Sequence, residues 1–190
     1  MLVAGSAIVF ATAATLFDDL RGQIEASAPA QANTAMARYF NLFANRTLGA
    51  DVFSVVEDAR MDHAVLSQYR GLAAHYREVQ EAALTDRPHP HELPLQQAMV
   101  EMLIQMSLSG TKRRIPVPKD YAKQARQVAG LLRKVQQEGA TVEDTAEAAL
   151  RIYAIIASLP NEQVPPEDWD EEDVDEGDYQ DPDTEEVLSL

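Results

Sequence analysis

The stretch "VVEDARMDH", Val55 to His63, places Glu57, Asp58, Arg60, Asp62 and His63 within seven residues. Asp58 and Asp62 stand four apart, so on a helix they are adjacent like charges, mildly destabilising unless a cation or metal lies between them. The sharpest chemical reading is a metal site, since bundle di-metal centres gather inward-facing Glu residues and Glu-x-x-His pairs from several helices. Asp58 with Asp62-His63 is the nearest approximation. No Glu-x-x-His pair is present, because the other histidines are His75, His89 and His91. The same spacing serves a structural purpose equally well. Glu57 and Arg60 are three apart and predict an ion pair that lets a largely buried helix carry charge.

Other groups with chemical potential are fewer. "PHPHE" offers His89, His91 and Glu92, in a spacing that matches no strong metal site, so it reads as a proline-stiffened loop. Met99, Met102 and Met106 fall on one helical face and read as core filler. Lys112, Arg113, Arg114 and Lys119 in "KRRIPVPK" form a cationic cluster, read as a docking surface for a partner or for the chain's own acidic segment. The phosphate-loop and nucleophile-elbow signatures are absent, as is a nucleophile with an obvious base. A non-enzymatic chain without a resident cofactor is expected.

These residues must be positioned by elements, and the pattern along the chain is helical almost throughout. The spacing predicts helices over about Gly5–Ala26, Ala30–Ala44, Val52–Leu84 (bent near Gly71 and capped by Asp51), Leu95–Leu108, Lys119–Gln137 and Thr141–Ala157. The third, with its stripe from Val52 through Leu66 to Tyr76, is expected to be the most surrounded. "TDRPHPHELP" interrupts a helix because proline removes a donor and clashes with the preceding turn, and "SGTKRRIPVP" reads as a loop. The expected fold is all-α, a single bundle of about six helices over residues 1–160.

Charge is distributed unevenly over the 190 residues. From Glu162 to Leu190 there are fourteen acids and no Lys or Arg, whereas residues 1–161 carry seventeen acids against sixteen Lys/Arg. The net charge of −15 thus belongs to the last segment, an acidic tail or linker over 161–190 that is too polar to order alone. This balance argues against non-specific nucleic-acid binding, which needs cationic surface. Trp169, the only tryptophan, and Tyr179 sit among these acids. Aromatic rings in an acidic arm suit docking, which would set Trp169 against a cationic, partly apolar surface near Arg113 and Arg114 or on a partner; a flexible linker with an incidental tryptophan is the alternative reading. The chain has no cysteine, and its uncharged first 17 residues lack a basic signal-peptide flank. They read as a buried helix of a cytoplasmic protein.

"ADVFSVVEDARMDHAVLSQYRGLAAHYREV", followed by "LPLQQAMVEMLIQMSL", resembles the helical N-terminal region of the von Willebrand factor A-containing partners of MoxR-type AAA+ ATPases, of the nitric-oxide-reductase activation and rubisco-activase adaptor type. The likeness rests on Val56-Glu57-Asp58-Ala59-Arg60-Met61-Asp62 and on Tyr69-Arg70-Gly71, and spans about residues 50–108. Several members carry an acidic linker before their A domain. The A domain and its Asp-x-Ser-x-Ser metal signature are missing from this sequence, so no activity of that domain is carried over. The resemblance implies an adaptor that docks to a MoxR-type ATPase, which remodels or activates a client. Glu57, Asp58, Arg60, Asp62, Lys112, Arg113, Arg114, Trp169 and Tyr179 are then the candidate interaction residues. The alternative is a metal-binding helical bundle using carboxylates and His of the third helix.

Overall fold

The computed structural model describes residues 34–109 and 114–172. The chain divides into two compact units, Met1–Arg46 and Thr47–Leu190. In the first, the described part is α1 (Ala35–Phe40), capped by Thr34, whose hydroxyl accepts from Ala37 N–H at 3.1 Å. Tyr39, Phe40 and Phe43 form an aromatic cluster, with Tyr39 meeting Phe43 edge-on at 5.2 Å between centroids. The helix expected over residues 5–26 lies outside the described residues.

The second unit contains α2 (Arg46–Gln68), α3 (Ala73–Thr85), α4 (Leu95–Ser109), α5 (Ala122–Val135) and α6 (Val142–Ala157), with strands β1 (Ile115–Pro118) and β2 (Trp169–Glu172). The fold is predominantly helical, as its periodicity predicts. α2 starts at Arg46 and carries Asp51 inside its first turns, so Asp51 is not its cap. Val52, Val56 and Ala59 are fully buried along it.

The helix expected to run on to Leu84 with a bend near Gly71 is interrupted at that place. Tyr69 leaves helical geometry at φ −116°, ψ 62°, a short 3-10 turn covers Arg70–Leu72, and α3 begins at Ala73. Gly71 is not what permits the break, since a Cβ there would meet open space and no positive φ is required.

The central element is α4, which packs against α3, α5, α6, β1 and the turn at Pro90–Glu92. This role was expected of the long third helix. The reason is visible in the side chains: α4 buries Leu95, Ala98, Met99, Met102, Leu103 and Leu108, whereas Leu66 and Tyr76 are only half-buried. An element apolar on more than one side has to be surrounded.

α5 and α6 pack together. The turn between them uses Gly139 at φ 85°, a conformation that costs a side-chain-bearing residue about 1 kcal/mol. A capping box opens α6, with the Thr141 hydroxyl accepting from Asp144 N–H and the Asp144 carboxylate accepting from Thr141 N–H. Among the described residues no helix is long and apolar enough to cross a membrane.

Two expectations are overturned here. Part of the "KRRIPVP" loop is β1, and part of the segment after Pro160 is β2, paired antiparallel with it in the register Ile115↔Glu172 to Pro118↔Trp169. The approach to β2 is also tied down. Leu95 N–H donates to Glu162 O at 2.8 Å, and the Gln96 amide donates to Leu159 O at 2.8 Å. Composition correctly marks this segment as unable to build its own core, but it borrows the backbone edge of β1 and the start of α4.

Candidate functional site

The charged groups of "VVEDARMDH" separate onto two sides of α2. On one side, Arg60 grips Glu57 bidentately, Nε to Oε2 at 2.9 Å and Nη2 to Oε1 at 2.5 Å. Nη1 of Arg60 also donates to Ala140 O at 3.2 Å, and Thr145 Oγ1 donates to Glu57 Oε2 at 2.7 Å. Burial pushes the Glu57 carboxyl up. Hydrogen bonds from Arg60 and Thr145, with the guanidinium charge, outweigh it and hold the group below the usual carboxylate range. The expected Glu57–Arg60 pair therefore exists, and it joins α2 to the start of α6.

On the other side, Asp62 faces α3. The Tyr76 hydroxyl donates to Asp62 Oδ1, and the Gln80 amide donates to Oδ2 at 3.0 Å. Burial raises the Asp62 carboxyl, and these two donors offset part of that rise. Asp58, one turn earlier, has no hydrogen bond or ion pair among the described residues. More than a third of Asp58 is solvent-accessible, yet its carboxyl is pushed up to about 6, first by burial and then by the charges of Asp62 and Glu57. Burial, the Asp62 hydrogen bond and the nearby carboxylates push the Tyr76 hydroxyl up as well. Of the like-charged pair, Asp62 is held by neutral donors from α3, and the charge of Asp62 contributes to the raised Asp58 carboxyl. Among the described residues, no three His, Asp or Glu side chains are grouped so that they could share a metal ion.

Sequence reasoning missed a third cluster. Glu101 on α4 is 4 % exposed and accepts from Arg87 through both carboxylate oxygens, Nε to Oε1 at 2.8 Å. Gln105 completes it, with its amide donating to Glu101 Oε1 at 3.0 Å and to Pro88 O at 3.2 Å. The signal was available in "MVEMLIQM": a Glu within a buried methionine face requires a cation, and Arg87 precedes the helix by eight residues. Beside it, His89 and His91 stack with ring centroids 4.8 Å apart. Met99 and Met102 are core, as expected.

The remaining candidates divide. Lys112, Arg113 and Tyr179 lie outside the described residues. Arg114 is exposed at the start of β1. Trp169 is half-buried in β2, opposite Pro118 at the far end of β1 from Arg114, and its indole N–H donates to Val164 O at 3.2 Å.

Around the turn between α2 and α3 a different surface stands out. Tyr69 is 58 % exposed and Leu72 55 %, with Arg70 between them also exposed. The chain matches no protein-family profile, no curated protein and no solved structure.

Proposed function

We propose that this chain is a non-catalytic adaptor that docks to a MoxR-type AAA+ ATPase and helps it remodel or activate a client metalloenzyme or enzyme complex, with the α2–α3 elbow as its contact surface. The observation that carries the reading is the exposure of Tyr69 and Leu72 at that elbow. Large apolar groups held at a surface corner suit burial against a partner, where they supply most of the affinity. The charged seam beneath supports the same reading. Asp62 on α2 accepts from Tyr76 and Gln80 on α3, which braces the elbow and leaves the apolar residues to make the contact. Tyr69-Arg70-Gly71 is also part of the segment that carries the family resemblance.

The test is reconstitution with a purified MoxR-type ATPase of the same host. The expected result is a complex in the presence of ATP and a changed hydrolysis rate, both lost in a Tyr69→Ser/Leu72→Ser variant that melts like the parent. No complex at tens of micromolar of each protein overturns the reading. Stoichiometric iron or manganese in the freshly purified chain supports the metal-binding alternative instead.

A further inference from the structure

β1 has one usable edge. Pro116 and Pro118 have no N–H, so Ile115 and Val117 supply the only backbone donors of the strand, and the two-residue period sends both to the same side. In the observed register that side faces β2. The strand is firmly seated, with Ile115 2 % and Val117 1 % exposed. Cations bracket it. Arg114 stands exposed immediately before β1, and Lys119 immediately after it donates to Glu167 O at 2.6 Å and lies 3.8 Å from the Asp170 carboxylate.

The occupant of that edge is far more exposed than β1. Asp170 and Glu171 are exposed, and Trp169 is the described β2 side chain that gains partial burial. Its indole N–H bonds within its own segment, to Val164. Two clefts flank the ribbon. One of about 180 Å³ is lined by Leu95, Pro118, Tyr121, Val164 and Asp168. Another of about 430 Å³ is lined by Arg87, His89, Arg114, Pro116 and Glu171.

We infer that the β1 edge is a strand-addition site for an extended acidic peptide bearing one large aromatic residue, supplied by a partner protein, and that residues 166–172 occupy it in cis as a competitor. The bound segment itself displays the chemistry the edge accepts: backbone pairing along Ile115 and Val117, an aromatic residue paired in register with Pro118, Asp170 beside Lys119, and Glu171 lining the same cleft as Arg114. In strand addition the main-chain bonds supply affinity and flanking side chains supply selectivity. Tethering gives the cis segment an effective concentration of millimolar order, so a partner must either bind tightly or act when the cis segment is released. The inference is independent of the ATPase reading, and its test contains no ATPase.

The test uses the full chain and a fluorescein-labelled peptide, Pro-Glu-Asp-Trp-Asp-Glu-Glu, followed by anisotropy. Trp169→Ala should raise amide exchange at Ile115 and Val117 and tighten peptide binding at least about tenfold over the parent, a gain of about 1.4 kcal/mol. Adding Lys119→Glu should abolish that binding. Asp170→Pro, which deletes the N–H opposite Val117 without touching the core, should reproduce the release independently. Unchanged exchange in both variants overturns the proposal, as does an opened edge that takes no peptide, or equal affinity for parent and variants. A concentration-dependent dimer that protects Ile115 and Val117 would assign the edge to a second copy of the chain and overturn it too.

Discussion

Replacing Arg87 by Ala should be among the most damaging single substitutions outside the apolar core. Glu101 is 4 % exposed on the central helix α4, and both its oxygens are held by Arg87, with the Gln105 amide the one further donor among the described residues. Removing one partner of a buried ion pair leaves an uncompensated charge and costs about 3–5 kcal/mol. Arg87 keeps 32 % of its side chain exposed, so water reaches the vacated site and the lower end, about 3 kcal/mol, is expected. For a domain of this size that corresponds to a fall in Tm of roughly 6–12 °C. The assay is thermal and urea unfolding followed by far-ultraviolet circular dichroism, with Trp169 fluorescence as a second probe. The informative comparison is the double variant Arg87→Leu/Glu101→Met. It removes both charges, fills the volume with apolar atoms and leaves Gln105 bonded to Pro88 O, so it should lie within about 1 kcal/mol of the parent. A single variant that melts within about 2 °C of the parent refutes the reasoning. So does a double variant as unstable as the single one.

Two further outcomes follow from α2. Arg60→Ala should cost about 2 kcal/mol, because Glu57 retains its bond from Thr145, and Thr145→Val should cost about 1 kcal/mol; equal unfolding midpoints for parent and both variants would show that the cluster adds nothing. Asp58 is raised from 3.8 to about 6 in the folded chain, so its contribution is fully present below pH 4 and is lost as pH rises through 6. Asp58→Asn should therefore raise Tm at pH 7 and flatten the slope between pH 4 and 6, and a slope unchanged by the substitution would place its origin elsewhere.

Local rules made much of this protein legible. Helical periodicity announced the bundle, and Glu57 with Arg60 announced an ion pair, because each depends on residues three or four apart in sequence. What those residues meet is another matter. That Glu57 answers to Thr145, 88 residues away, and Asp62 to Tyr76 and Gln80, follows from how α2 docks on α6 and α3. The bend expected near Gly71 is a full interruption at Tyr69–Leu72, which the apolar stripe running on to Tyr76 does not show.

The acidic segment shows the division most clearly. Its composition dictates that it cannot bury enough apolar surface to fold alone. Nothing in that composition says whether another strand will supply the missing backbone partners. β1 supplies them because its two prolines leave one donor-bearing edge and because the bundle holds Ile115 and Val117 in its core with that edge turned outward. Sequence sets the local propensity of each segment, whereas pairing between distant segments depends on edges that exist only after the helices have packed.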